Sequence, residues 1–324
     1  MFKRYTALLL SAAAVMSVGL SACASDNPAS AGASGAAPAS GTASEESKST
    51  DGKIKVSVTF NAMKEFTEAV GKDKVDVATI IPDGTEPHDF EPKAQDLVAL
   101  STAQVFVYSG LGMEAWAEDA VKSANNPNLI TVEASKGADA IKNTDPEEIE
   151  EHGQYDPHIW LGLKGAEVEV KNIKDALVKA DGANQQYYEK NYDDFISQLE
   201  SLYTEYNKKF QSVEKKSFVT GHAAFGYLCR DFGLEQNSVE DVFAEGEPSA
   251  QQLTELVKYC KDNKVTTIFA EEMASPDVSK TLAKEVGANV ETIYTIEGGE
   301  DNKTYLERIE SNLSKIYSSL ESKA

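Results

Sequence analysis

Positive charge is scarce in this chain of 324 residues: 31 Lys and Arg stand against 53 Asp and Glu, a formal charge of −22. So acidic a surface repels phosphate backbones and anionic headgroups, which argues against nucleic acid as a partner and against electrostatic adhesion to a membrane. Cysteine is scarcer, with three in all, and histidine is limited to four positions, His88, His152, His158 and His222. No His-Glu-x-x-His helix can be drawn from them, so the commonest zinc-protease motif is missing. Long apolar runs are also lacking beyond the amino terminus, and no later stretch is apolar enough to cross a bilayer.

What the amino terminus does have is a leader. Lys3 and Arg4 precede an apolar run over residues 7–19 that is too short to span a membrane comfortably. It ends at Leu20-Ser21-Ala22-Cys23, which resembles the bacterial lipobox. Residues 1–22 therefore read as a lipoprotein signal peptide, with cleavage before Cys23 and lipid on its sulfur. Such a chain is exported and held on the outer face of the cytoplasmic membrane (the periplasmic side in a diderm) without spanning it. Residues 23–52 are nearly all Ala, Ser, Gly, Pro and Thr and cannot bury enough surface to offset their ordering, so they read as a flexible tether.

From residue 53 onward, strand-like apolar runs alternate with amphipathic segments. Strands are expected at 54–60, 75–81, 105–108 and 129–132, with helices at 61–70, 93–101 and 114–124. The rhythm restarts with strands at 217–220, 236–239, 266–270 and 290–296 and helices at 223–232, 249–263, 278–286 and 303–320. Continuous apolar strands separated by helices imply mostly parallel sheets covered on both faces. Between the two units, residues 184–213 lack Gly and Pro. Their apolar residues Tyr188, Tyr192, Phe195, Leu199, Leu202, Tyr206 and Phe210 recur at helical spacing, and no second such helix stands out to pair with them. The fold class is thus α/β, in two lobes, each a mostly parallel sheet flanked by helices, joined by one long rigid helix. Residues 53–181 form the first lobe, 182–213 the helix and 214–324 the second lobe.

Three of the four histidines sit in matched settings, Glu86-Pro87-His88-Asp89, Asp156-Pro157-His158-Ile159 and Thr220-Gly221-His222-Ala223. The first and last follow apolar strands, where open α/β sheets place their sites, and neutral imidazole is the commonest ligand for a transition metal. Gaps of 70 and 64 residues are far too wide for a zinc finger and suit a site assembled from separate loops.

With these motifs in place, the chain resembles the zinc-binding lipoproteins of ABC importers, a family of metal receptors that join two α/β lobes through one long helix. The resemblance covers residues 53–324. It rests on Pro87-His88-Asp89-Phe90-Glu91-Pro92, Asp156-Pro157-His158-Ile159-Trp160-Leu161, Gly221-His222-Ala223-Ala224-Phe225-Gly226-Tyr227-Leu228 and Ile268-Phe269-Ala270-Glu271. It implies a Zn²⁺ ligand set of His88, His158, His222 and Glu271 in the cleft, with the adjacent Glu272 as the alternative carboxylate. It also implies a monomer that hands its metal to a permease driven by an ATPase. Relatives that take up manganese place a carboxylate where His222 stands; three imidazoles and one carboxylate suit tetrahedral zinc better.

Asp89 and Asp156 are candidates to accept an imidazole N–H, or else to cap turns beside proline. His152 lies in an acidic loop over residues 142–155, where family members often carry a metal-gathering segment; an auxiliary role and a plain solvated loop are both open. Cys229 and Cys260, both expected on helices of the second lobe in an exported chain, either form a disulfide or pack as two buried thiols. A zinc hydrolase with three histidines and Glu271 or Glu272 as general base is the alternative from another class. A manganese receptor of the same fold is the nearer alternative. Adhesion to host surfaces is compatible with an anchored receptor, and no motif in the chain bears on it.

Overall fold

The computed structural model describes residues 52–321 apart from 145–148, 150–152, 243–248, 272–276 and 300. Cys23, His152 and Glu272, together with the leader and most of the tether, lie outside the described residues. Residues Glu46–Ala324 belong to one compact unit.

The first half runs β1 (Ile54–Val58), α1 (Asn61–Gly71), β2 (Val75–Thr79), β3 (Val105–Tyr108), α2 (Ala117–Ala124) and β4 (Ile130–Glu133). Then come α3 (Leu163–Ala180) and α4 (Gln185–Ser212). The second half runs β5 (Ser217–Thr220), α5 (Gly226–Phe232), β6 (Glu235–Ser238), α6 (Ala250–Asp262), β7 (Thr267–Glu271), α7 (Asp277–Val286), β8 (Asn289–Ile293) and α8 (Tyr305–Glu321). The sheets have the same topology, β2-β1-β3-β4 and β6-β5-β7-β8, with every pair parallel. In both, the order reverses beside the first strand, so a crevice opens at the strands' carboxyl ends.

Alternation along the strands sorts side chains onto two faces. In the second sheet, Phe218 and Phe269 point into the main core, while their neighbours Val219 and Ile268 pack with Leu256, Cys260 and Leu282 on the other face. The main core runs from Val56 and Val58 of the first sheet through Trp160 and α4 to Phe218 and Phe269 of the second. One apolar body therefore underlies both halves.

The aromatic stripe of α4 has the expected register. Tyr188, Phe195, Leu199, Tyr206 and Phe210 are buried, and Tyr192 and Leu202 pack partly against the core. At ~1.5 Å per residue, its 28 residues span roughly 42 Å. It does not stand alone, however. The 18-residue α3, absent from the sequence reading, packs along it after the short connection at 181–184. Leu163, Ala166, Val170, Ile173 and Leu177 make a 3-4-3-4 stripe that was readable, but charged residues between them and Gly165 dilute it.

Other boundaries differ for identifiable reasons. Residues 93–101 form turns ending in a 3₁₀ segment, Val98–Ser101, built on i→i+3 hydrogen bonds and burying only Leu100. The α2 helix begins at Ala117 because the Glu114 carboxylate folds back to accept from Ser109 N–H, Gly110 N–H and Thr59 Oγ1. The α5 helix begins at Gly226, three residues later than its apolar run suggested. Strand β8 stops at Ile293, where Tyr294 N–H turns to Asn312 Oδ1, 2.9 Å away. Cys229 and Cys260 are free, buried thiols. They belong to clusters on opposite faces of the second sheet, so the disulfide alternative is overturned.

Because Leu199 is fully buried where α4 crosses the core, Leu199→Ala is expected to destabilise the fold by about 3 kcal/mol. Urea unfolding measures this directly; a loss under about 1 kcal/mol would mean that the helix contributes little to the core.

Candidate metal centre

His88 lies on the loop after β2. Pro87 beneath it is buried, and Phe90 N–H donates to the Pro87 carbonyl at 3.3 Å. Phe90 packs edge-on against Trp116, with ring centroids 6.0 Å apart, which pins the loop to the first lobe. The imidazole itself is half-buried.

His158 is fully buried just before the 3₁₀ turn Ile159–Leu161. Its Nδ1 lies 3.0 Å from Asp156 Oδ1, and the same oxygen accepts the His158 backbone N–H at 2.9 Å. A carboxylate at Nδ1 selects the tautomer protonated there, leaving the Nε2 lone pair for a ligand. Of the two expected acceptors, Asp156 thus meets its imidazole. Asp89 is exposed and hydrogen-bonds to no imidazole among the described residues.

His222 follows β5. Thr220 Oγ1 donates to its carbonyl at 2.6 Å, and the residue is 4% exposed. Burial, followed by the neighbouring His158, pushes its pKa well below that of a free imidazole.

These three rings converge although 134 residues separate the first from the last. His158 Nε2 lies 3.1 Å from His88 Nε2 and 3.4 Å from His222 Nε2. The fourth group is not the expected one. Glu297, 5% exposed, joins the imidazoles, and one ligand atom from each of the four residues lies within 4.8 Å of the others. Glu297 Oε1 is 3.7 Å from His158 Nε2, while Oε2 accepts from Thr295 Oγ1 at 2.9 Å. Glu271 falls outside the group because its Oε1 is turned to the backbone N–H groups of Gly221 and His222, at 2.9 and 3.1 Å.

The resemblance pointed to Glu271 and not to Glu297, although Glu297 too is an acid just after the apolar run of a strand, 290–296 in the sequence. Its loop turns at Ile296, a buried β-branched residue with φ of +63°. Such residues rarely adopt this conformation, and it is tolerated where the surroundings over-determine it. Here Asn61 N–H holds the Glu297 carbonyl at 3.2 Å, and Trp160 Nε1 holds the Thr295 carbonyl at 2.7 Å.

Ligand atoms ~2.0 Å from a tetrahedral zinc lie roughly 3.3 Å apart. The three separations from His158 Nε2, 3.1, 3.4 and 3.7 Å, are near that spacing, all pairs lie within 4.8 Å, and three imidazoles with one carboxylate are donors zinc accepts. Comparison with known proteins agrees with this chemistry: the family model for the periplasmic zinc-uptake complex component A matches residues 56–319. The chain belongs to that family. The high-affinity zinc uptake system protein ZnuA of Bacillus subtilis is 39% identical over 281 residues, 83% of this chain and 88% of that one. Among solved structures, Zn(II)-bound AdcAII of Streptococcus pneumoniae, in a mutant form, is 34% identical with a TM-score of 0.76. The match covers 83% of this chain and 99% of that one. A mutant of the laminin-binding adhesin of Streptococcus agalactiae is 35% identical with a TM-score of 0.77, covering 83% and 100% of the two chains. Zinc, the metal in the family's description, is the one the donor set had suggested. No helix among the described residues is long and apolar enough to cross a membrane.

Since the His222 pKa is lowered on folding, the unfolded chain takes up that proton first. Its contribution to stability is therefore full above about pH 6.5 and declines as pH falls below it. The buried carboxyls Glu114 and Glu169, raised by burial, act with the opposite sign. Metal-free His222→Gln isolates the imidazole: its melting temperature should fall less than that of the unaltered chain between pH 7.5 and 5.5. Equal falls would show that His222 protonates as easily folded as unfolded.

Proposed function

We propose that this chain is an extracytoplasmic receptor that captures Zn²⁺ between its two sheets and delivers it to the permease of an ABC importer, whose ATPase drives uptake. The single observation carrying this is the convergence of three imidazoles, through Nε2, and the Glu297 carboxylate into one group whose members other than His88 are buried. His88, His158, His222 and Glu297 each supply one bond to the ion. Asp156 holds the His158 tautomer through Nδ1. The chemistry is capture without turnover. A site with four protein ligands keeps no open position for a metal-bound water, which favours a receptor over the three-histidine hydrolase.

Zinc is favoured over manganese because manganese prefers more oxygens and a higher coordination number. Copper(II) and nickel(II) accept the same donors in vitro. We assign residues 1–22 to a leader, Cys23 to lipid attachment and residues 23–52 to a tether. Residues 53–181 and 214–324 are the two lobes, with 182–213 between them. The receptor acts as a monomer on the outer face of the membrane, its lipid supplying the anchorage that so acidic a surface would not.

Calorimetric titration of metal-free protein should give one Zn²⁺ per chain with much weaker Mn²⁺ binding. Glu297→Gln or His222→Ala should cost the site a ligand and its tight binding. Asp156→Asn should weaken Zn²⁺ by about 10- to 100-fold, the usual loss when an imidazole's orienting acceptor is removed. A preference for Mn²⁺, or full affinity in His222→Ala, would refute the assignment. Hydrolysis of model esters or peptides by the zinc-loaded chain would favour the enzyme instead.

A further inference from the structure

Glu271 is a buried acid 5% exposed, at the end of a central strand, and the ligand group does not include it. We propose that Glu271 is the positioning residue for His222, holding the turn that carries the imidazole rather than the ion itself. The inference rests on the zinc-site reading above and adds a role to it.

Two consecutive backbone donors, Gly221 N–H and His222 N–H, converge on one Glu271 oxygen, at 2.9 and 3.1 Å. Hydrogen bonds to a charged acceptor are about twice as strong as neutral ones, and two on adjacent amides leave the turn little freedom to rotate. The anchor point is rigid, because β7 pairs with β8 along its whole length, from Thr267↔Asn289 to Glu271↔Ile293, and with β5 on its other side. The turn is gripped from its opposite edge too. Val239 and Glu240 N–H donate to the Gly221 carbonyl at 2.9 and 2.7 Å, and Gln236 Nε2 donates to the His222 carbonyl at 3.3 Å.

The approach of the carboxylate also explains the glycine. A Cβ at position 221 would sit 1.9 Å from Glu271 Oε2, so no other residue leaves the carboxylate this place. Gly221 and Glu271 form one device. The same Oε1 lies 3.8 Å from His222 Nδ1, too far for a hydrogen bond. That acceptor oxygen still faces this edge of the ring, which favours the tautomer with its proton on Nδ1. The Nε2 lone pair then points at His158 and His88. His158 has a carboxylate on its Nδ1; His222 has one on its backbone.

The test uses the full chain and two probes, Zn²⁺ affinity by competition with a chelator and the visible absorption of the Co²⁺-loaded protein, whose intensity reports coordination number. Glu271→Gln keeps an oxygen at the same reach but not the charge, so a loss clearly smaller than that of Glu271→Ala and an unchanged Co²⁺ spectrum are expected. Glu271→Ala should lose about 10- to 100-fold. In a His222→Ala background, the same Glu271→Ala change should cost less than about twofold, because the residue it positions is gone.

The proposal is overturned if Glu271→Gln matches the loss of Glu297→Gln and alters the Co²⁺ spectrum, which would make Glu271 a ligand. It is equally overturned if the alanine penalty persists undiminished without His222. Should Glu271→Ala fail to fold, the glutamine variant and Gly221→Ala, expected to weaken Zn²⁺ by displacing the carboxylate, decide the matter. Failure of the unaltered chain to bind Zn²⁺ would sink the site reading itself, whereas binding with either overturning pattern sinks only this inference.

Discussion

The segment around His158, wedged between the two sheets, is the constraint on which the rest depends. His158 is the hub of the cage, since its Nε2 is the atom that both other imidazoles approach. The segment is held from both sides. Tyr227 Oη, from α5, donates to the Asp156 carbonyl at 2.6 Å, and Tyr305 Oη, from α8, donates to the Trp160 carbonyl at 2.6 Å. Trp160 is fully buried, with its ring edge-on to Phe60 at 4.8 Å and its Nε1 on the carbonyl two residues before Glu297. The wedge that joins the halves thus carries His158 and holds the loop that carries Glu297.

This arrangement offsets an electrostatic cost. Burial and the neighbouring His158 both disfavour a proton on His222, whose Nε2 lies 3.4 Å from that of His158. A divalent ion removes that conflict by taking the lone pairs. Glu297 at the cage, Asp156 behind one ring and Glu271 behind the turn of another place three carboxyl groups around the imidazoles. Half-buried His88, on an irregular loop, is the member of the group most open to solvent. The other three come from parts of the chain tied to the common core.

Much of the fold was legible because local rules carry it. Continuous apolar runs alternate with amphipathic segments of period about 3.6, and all eight strands lie where those runs put them, with ends shifted by a few residues. The stripe of α4 was plain because its members are large and aromatic. The α3 stripe obeys the same spacing with smaller residues among charges, and so was overlooked. The Cys229–Cys260 alternative failed on a matter no period encodes, namely which face of the second sheet each helix covers.

By itself, the sequence determined which donors were on offer. Three imidazoles in turns beside Pro or Gly, acids at strand ends and parallel α/β units are properties of short stretches, read from neighbours along the chain. Only the tertiary structure decided between acids. Glu271 and Glu297 both follow apolar strands of the second half, and nothing local distinguishes them. One faces the amides of its neighbouring strand's turn; the other is carried past its strand's end by a loop clamped to Asn61 and Trp160. Metal ligation is settled by distances of a few tenths of an ångström between residues far apart in sequence, and those distances exist only once the two sheets share a core.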